Sequence, residues 1–350
     1  MRMAKKGMGL LLVFVLIFAT AAYAQESGSN YSDISFETSG GNEVLESTKA
    51  KGTKTENDKI VVGICLASSS HQTFIDMIRH ARTLEEPLNC EIIELYFEQD
   101  INKLVRGIED FTSANADVII FQNGDPEATR EAVAAANAKG IITIAWDIDM
   151  DICDFAFIGI NHEIGYAIGK QAADYINNEL GGKAKVGLFK IESMSFFVER
   201  GVGMSDAIRE LAPEVEIVSE VYGVSLADGY SDAENLMTLD PGINVLVALV
   251  DNPLIGAYQA FEAAGRGQSA EDRVAFFGCD CTTEGMRYMT DGNDNMWFGS
   301  IFMDLNNLTK EMVTAGVNAR RGIMPEYRVG RFKTIPVNVL NYEEYPAIFE

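Results

Sequence analysis

The chain has 350 residues, of which 28 are Lys or Arg and 52 are Asp or Glu, so its formal net charge at pH 7 is −24. A surface this acidic repels nucleic acid and anionic lipid, which excludes nucleic acid as an expected partner. At about 150 residues per domain the length predicts roughly two domains, each large enough for a substantial core.

The start of the chain has the three parts of a secretory signal peptide. Arg2, Lys5 and Lys6 precede an apolar run over 9–22, and residues 22–24 have the small-x-small form of a cleavage site. The run is shorter than the ~20 residues that a spanning helix needs, which favours a signal peptide over a membrane anchor. No cysteine stands at the cleavage site, so we expect a periplasmic protein without a lipid anchor. Removing 1–24 leaves 25 basic and 52 acidic residues, a net charge of −27.

Residues 25–57 are rich in Ser, Gly, Thr, Asn, Glu and Lys and contain few large apolar residues. This composition predicts a flexible leader that takes no part in a core.

From Lys59 onward, short apolar runs alternate with helical periodicity. The apolar runs predict strands at 60–66, 91–97, 117–121, 141–146, 156–160, 185–190, 215–222, 245–250, 273–278 and 296–301. The first helical stripe is Phe74, Met77, Ile78 and Ala81, and others follow at 101–111, 127–138, 163–180, 202–211, 231–238 and 254–264. Two successive β-α-β-α series predict an α/β fold with two doubly wound parallel sheets, each covered by helices on both faces.

Ligands of doubly wound sheets bind beyond the carboxyl ends of the strands, so the residues that follow the predicted strands are the first candidates. Asp147 and Asp280 each stand directly after an apolar run, one in each half of the chain. Two carboxylates that face each other across a cleft can accept hydrogen bonds from hydroxyls or bind a cationic group. Asn and Asp are also favoured helix caps, and this alternative stays open for every polar residue at a strand end.

Aromatic side chains lie beside these positions and could stack on a sugar, a heterocycle or a cation, with core packing as the alternative. They are Phe74, Trp146, Phe196, Phe197, Tyr230 and Phe302.

No catalytic constellation is present: the chain has no Gly-x-Ser-x-Gly elbow, no phosphate-binding glycine loop and no His-Glu-x-x-His. We therefore expect neither an enzyme nor a cofactor. With three histidines, and no second pair of ligands near Cys279 and Cys281, no metal site is expected. An odd count of five cysteines leaves at least one free thiol unless chains pair.

Four stretches carry a family resemblance: ADVIIFQNGDPEA at 116–128, GINHEIGYAIGKQAADYI at 159–176, ERGVGMSDAI at 199–208 and FFGCDCTTEG at 276–285. On these, residues 58–340 resemble the type I periplasmic binding proteins, in the ribose- and galactose-binding branch that serves ABC importers. The resemblance implies two lobes joined by a three-crossing hinge, with crossings near Ile160, near Ile301 and at 331–334. The first lobe would be 58–160 plus 302–331, and the second 161–301 plus 332–350.

The resemblance also carries ligand contacts over by position, to His71, Phe74, Gln122, Asp147, Val198, Val250, Asp280 and Phe302. Arg200 and Asp251 match widely shared positions that could equally be structural. Ile148 and Val198 stand where ribose binders have arginines, Val250 replaces an Asn and Phe302 replaces a Gln. An apolar side chain cannot satisfy a buried hydroxyl, so the site should be less polar than a ribose site. A deoxy sugar, a small polyol, a heterocycle and a cationic ligand all remain open.

The expected function is capture of a small sugar-like or other polar ligand for the membrane permease of an ABC importer, by a monomer. The alternative is a subunit that presents its ligand to a chemoreceptor or sensor kinase; an enzyme on the same scaffold is a third possibility that fold alone does not exclude. The predicted ligand-binding residues are His71, Phe74, Gln122, Trp146, Asp147, Phe197, Arg200, Tyr230, Asp251, Asp280 and Phe302.

Overall fold

The computed structural model describes residues 35–37, 42–267, 269, 272–290, 296–332 and 334–344. The predicted signal peptide and residues 25–34 of the predicted leader lie outside the described residues. Among the residues described, no helix combines the length and the apolar character that crossing a membrane requires.

Within the described residues, the first sheet has seven strands, six of which come from the first half of the chain, and the second sheet has six. They are β1 (Ser35–Glu37), β2 (Ile60–Leu66), β3 (Cys90–Tyr96), β4 (Val118–Gln122), β5 (Ile142–Asp147), β6 (Phe155–Ile158) and β12 (Val329–Arg331). Their spatial order is β1-β12-β6-β5-β4-β2-β3. All neighbours run parallel except β1 and β12, which are antiparallel.

The second sheet has six strands. They are β7 (Lys185–Phe189), β8 (Glu216–Val221), β9 (Val245–Ala248), β10 (Ala275–Cys279), β11 (Trp297–Met303) and β13 (Thr334–Asn338). Their order is β13-β11-β10-β9-β7-β8, and only β13 runs antiparallel to its neighbour. The central strands of both sheets are buried along their length, which is why their sequences read as unbroken apolar runs.

Helices connect the strands. They are α1 (Asn42–Ala50), α2 (Gln72–Thr83), α3 (Ile101–Ser113), α4 (Pro126–Ala138), α5 (Asn161–Glu179), α6 (Ser195–Leu211), α7 (Leu226–Leu239), α8 (Asp251–Ala263), α9 (Thr283–Thr290) and α10 (Leu305–Arg320). On the first sheet α2 packs with α10 and α3 with α4; on the second, α5 packs with α6 and α7 with α8. The predicted α/β fold of two parallel-dominated sheets covered by helices is confirmed.

Strand β11 ends at Met303 in the second sheet, two residues beyond the crossing expected near Ile301. Apolar residues continue past position 301 to the end of the strand, so the apolar pattern did not show which residue is the last of β11. We propose that each sheet with its helices forms one lobe. The chain would then cross between the lobes after Ile158, after Met303 and between Arg331 and Thr334.

Helix α7 begins at Leu226, several residues before the stripe predicted at 231–238. Ser225 and Asp228 form a capping box: the Ser225 hydroxyl accepts from the Asp228 N–H at 3.1 Å, and the Asp228 carboxylate accepts from the Ser225 N–H at 3.0 Å. The Ser-x-x-Asp spacing could therefore have predicted the start of this helix from the sequence.

The N-terminal arm, residues 42–57, is packed against the first sheet. Thr48 is buried and donates to Asp154 Oδ1 at 2.6 Å, while Lys51 Nζ lies 2.7 Å from Asp154 Oδ2. Arg320 at the end of α10 donates to the backbone oxygen of Lys51. The expectation of a flexible leader therefore does not hold for this segment. Polar pairing with a buried carboxylate orders it, and composition does not reveal such a partner.

Candidate functional site

A cavity of about 330 Å³ lies where the carboxyl ends of the two sheets meet. Eight of the predicted ligand-binding residues line it: His71, Phe74, Gln122, Trp146, Asp147, Phe197, Arg200 and Asp280. The first five come from the first sheet and its loops, and the last three from the second. Tyr230, Asp251 and Phe302 are not part of its wall.

Asp147 and Asp280 occupy corresponding places, each at the carboxyl end of a strand. Both have a positive φ, 73° for Asp147 and 113° for Asp280, which is a backbone conformation that residues other than glycine rarely adopt. Backbone strain of this kind costs of order 1–3 kcal/mol and is concentrated at functional sites. Burial raises the pKa of Asp147 to about 6 and that of Asp280 well above its ordinary value.

Gln122 holds Asp147 in place. Its Nε2 donates to Asp147 Oδ2 at 2.8 Å, and its Oε1 accepts from the backbone N–H of Ala67 at 3.2 Å. One amide thus ties the ends of β2, β4 and β5 together. Both ends of that amide already have partners, so Gln122 acts on the cavity chiefly by orienting Asp147.

Replacing Gln122 with methionine should raise the pKa of Asp147 above its value of about 6, because the lost hydrogen bond stabilises the ionised carboxylate. A hydrogen bond to a charged group contributes ~1.5–3 kcal/mol, which corresponds to a rise of roughly one unit or more. Carboxyl carbon chemical shifts in an NMR titration measure the change. Gln259→Met is the matched control, since Gln259 lies outside the cavity wall and its amide donates to the Tyr288 hydroxyl at 3.3 Å. An unchanged pKa in Gln122→Met would contradict the assigned role.

Arg200 supplies a positive charge from the second lobe. Its side chain is held by Asn161 Oδ1, which accepts from Nε at 3.2 Å and from Nη2 at 2.9 Å, and by the backbone oxygen of Leu249 at 3.3 Å. A Cβ at Gly165 would overlap the backbone oxygen of Arg200, so glycine allows α5 and α6 to approach this closely. The guanidinium lowers the pKa of Asp147 and Asp280 through its charge, against the larger effect of burial.

Asp251, predicted as a ligand contact, lies behind the wall. Its carboxylate accepts from the N–H and the hydroxyl of Thr282, at 2.8 and 3.0 Å, and from the Ser300 hydroxyl at 3.0 Å. These bonds fix the loop that carries Asp280 and Cys281, whose backbone also has a positive φ. Asp251 therefore supports the strained loop, and burial raises its pKa to about 7.

The other two residues outside the wall are Tyr230 and Phe302. Tyr230 lies on α7. In this region Ser225, which caps the start of that helix, lines the cavity. On β11 the wall residue is Met303, one position after Phe302. Successive strand side chains point to opposite faces, so a placement one residue off selects the wrong side of the sheet.

Three polar atoms in the wall are buried and have no hydrogen-bond partner among the described residues: Asp280 Oδ2, His71 Nδ1 and Trp146 Nε1. His71 Nε2 is 3.6 Å from Asp280 Oδ2, too far for a hydrogen bond. Burial lowers the pKa of His71 to about 4, so the imidazole is neutral near pH 7 and the contact is not an ion pair. Unpaired buried polar groups are costly, which indicates that a ligand completes these contacts.

Several contributors escaped the sequence analysis. Glu98 and Gln99 follow β3 and line the cavity. Two polar residues after a strand could have identified them as candidates. Asn161, which holds Arg200, could be read only as a helix cap, since its partner lies 39 residues away. Within the described part of the chain no cluster of three or more His, Cys, Asp or Glu is placed to hold a metal ion. All five cysteines are buried free thiols.

Two sheets that meet at their carboxyl ends around a cavity lined by an aspartate from each define a two-lobed solute-binding protein. The chain belongs to the periplasmic binding protein domain family, whose model matches residues 62–322. Its relatives place it among the type I proteins of the ribose-like branch, as the resemblance implied.

The chain is 26% identical to the ribose import binding protein of Haemophilus influenzae over 232 residues, 66% of this chain and 76% of the relative. A solute-binding protein of Bacillus halodurans C-125 with bound myo-inositol superposes with a TM-score of 0.72 at 20% identity, over 85% of this chain and 99% of the other. A 5-methylthioribose-binding protein of Thermotoga lettingae TMO gives 0.71 at 22% identity, over 83% of this chain and 90% of the other. Both structures have the same fold as this chain.

Proposed function

We propose that the protein captures a small sugar-like or other polar ligand between its lobes and delivers it to the permease of an ABC importer. The observation that carries this proposal is the position of Asp147 and Asp280, which come from opposite sheets and line one cavity. Ribose, myo-inositol and 5-methylthioribose in the names of relatives and structural neighbours support a ligand of this class.

Contacts across the cleft indicate a closed arrangement of the lobes. The Ser193 hydroxyl donates to Gln99 Oε1 at 2.6 Å, and the Ser195 hydroxyl donates to the backbone oxygen of Gly124 at 3.2 Å. Both bonds join the start of α6 to loops of the first sheet. We infer that ligand contacts from both lobes stabilise this closed form over an open one, as a hinge with three crossings permits.

We further propose that the protein binds its ligand without transforming it, as a monomer. The signal peptide over 1–24 would direct it to the periplasm, where a permease of the importer would receive the loaded, closed form. The family's periplasmic binding proteins support this placement.

The ligand should compact the protein. A thermal-shift screen over sugars, polyols and amines finds a ligand first, since one at 100 times its Kd adds ~2.7 kcal/mol of stability. Small-angle scattering should then show a smaller radius of gyration with that ligand. A double variant, Asp147→Asn with Asp280→Asn, should lose both responses, whereas Asp151→Asn, at an exposed position, should keep them. A ligand that stabilises the protein but leaves its radius unchanged would contradict closure.

A further inference from the structure

The charged side chains of the cavity wall do not balance. Three are carboxylates, Glu98, Asp147 and Asp280, and one is the guanidinium of Arg200. His71 adds no charge near pH 7, because burial lowers its pKa to about 4. Glu98 is exposed, whereas the side chain of Asp280 is 4% exposed and the residues Asp147 and Arg200 are 5% and 3% exposed. When both aspartates are ionised, they exceed Arg200 by one negative charge, and water screens little of it.

The hydrogen bonds within the wall leave Asp280 without a donor. Arg200 is engaged by Asn161 and by the backbone of Leu249, and Gln122 is engaged at both ends of its amide. The carboxylate oxygen Asp280 Oδ2 is buried and has no hydrogen-bond partner among the described residues. Asp280 Oδ2 therefore needs a hydrogen-bond donor and, when ionised, a positive charge from whatever fills the cavity, while the Trp146 indole N–H needs an acceptor.

We propose that the ligand of this cavity carries a positively charged amine, as in an amino sugar or an aminated polyol, with its ammonium group hydrogen-bonded to Asp280. This inference rests on the proposed function and specifies the ligand class of the same site. An ammonium brings three donors and one positive charge to Asp280, and the hydroxyls of an amino sugar can accept from the Trp146 N–H. Phe74 and Trp146 line the same cavity, and aromatic rings attract cations.

Binding of such a ligand releases a proton. The titratable and charged groups that face Asp280 are Asp251, Arg200, Cys279 and His71. In the free protein, burial and the charge of Asp251 raise the pKa of Asp280, which favours its protonated form. The arriving ammonium favours the ionised carboxylate, and the carboxyl proton passes to the buffer.

The experiment compares matched ligands that differ only at one nitrogen. D-glucosamine, D-galactosamine, D-mannosamine and glucamine are each tested against the partner with a hydroxyl in place of the amine. Each amine is also tested against its N-acetyl derivative, which keeps the nitrogen and removes the charge. Titration calorimetry at pH 7 gives the affinities, and repeating it in buffers of different ionisation enthalpy gives the protons released.

We expect at least one amine to bind about tenfold or more tightly than both of its partners, with up to about one proton released per ligand. Asp280→Asn keeps the side-chain shape and removes its charge, so it should abolish the preference and the proton release. Asp151→Asn is the control for a general loss of negative charge, since its side chain is 74% exposed and pairs with Arg130. The proton count on the unaltered protein keeps the inference testable if Asp280→Asn does not fold.

A hydroxyl or acetylated partner that binds as tightly as its amine overturns the inference, and leaves the proposed function intact if that partner compacts the protein. If no member of any series binds, the inference is overturned as well. The proposed function is then judged separately, by scattering with ligands found in the wider screen.

Discussion

Replacing Lys51 with methionine should lower the free energy of unfolding by about 3–5 kcal/mol, the range found when one partner of a buried ion pair is removed. Lys51 Nζ donates to Asp154 Oδ2 at 2.7 Å, to Asn137 Oδ1 at 2.8 Å and to the backbone oxygen of Ile141 at 2.9 Å. The side chain of Asp154 is 3% exposed, so the variant leaves a buried carboxylate without its cation. Methionine keeps most of the apolar stem and isolates the loss of charge and donors.

Urea unfolding measures this change, and Lys49→Met is the matched control. Lys49 lies two residues earlier, in the last turn of α1, and is exposed, so its replacement should change stability by less than about 0.5 kcal/mol. Equal stability of the two variants would show that the N-terminal arm is not held to the body in solution. A second variant, Asp154→Asn, should destabilise as well, because Thr48 and the Thr143 N–H also bond to that carboxylate.

Replacing Asp280 with glycine should stabilise the ligand-free protein while weakening ligand binding about tenfold or more, the effect of losing a charged hydrogen-bond partner. At a φ of 113°, a residue with a Cβ is strained, and relief of such strain is worth about 1–3 kcal/mol. Glycine also removes a buried carboxylate with an unpaired oxygen. Its greater freedom in the unfolded chain opposes the gain by about 0.4–1 kcal/mol.

Asp280→Ala separates the two contributions, because alanine removes the carboxylate but keeps the strained backbone. The glycine variant should therefore unfold at a higher urea concentration than the alanine variant. Coinciding unfolding curves would mean that no strain is stored at this position. Both variants should bind ligand weakly, so that affinity and stability change in opposite directions for glycine.

Secondary structure and the buried helix faces were largely predictable. The strand expected at 60–66 has those bounds, and Phe74, Met77, Ile78 and Ala81 are the buried residues of α2. These features follow from residue spacing over one or two turns or one strand. A helix or strand that buries one face requires apolar residues at a regular spacing, and this spacing is visible among residues that are close in the chain.

The candidate site was predictable only in part. The carboxyl ends of parallel strands meet, which is why Asp147 and Asp280 could be selected without knowing any contact. Asp251 also follows an apolar run in the second half, and the sequence left open whether it contacts the ligand or has a structural role. In the structure Asp280 lines the cavity, whereas Asp251 is buried and hydrogen-bonded to Thr282 and Ser300.

The α/β class, the family and the edge of each sheet where a ligand would be sought follow from the order of the amino acids, because they depend on local periodicity and on short motifs. Which side chains still have free hydrogen-bonding groups depends on contacts between distant segments. Arg200 is held by Asn161, 39 residues away, and Lys51 by Asp154, 103 residues away. Such pairings depend on how distant segments meet in space, and a polar side chain has the same local sequence whether its partner is another residue or a ligand.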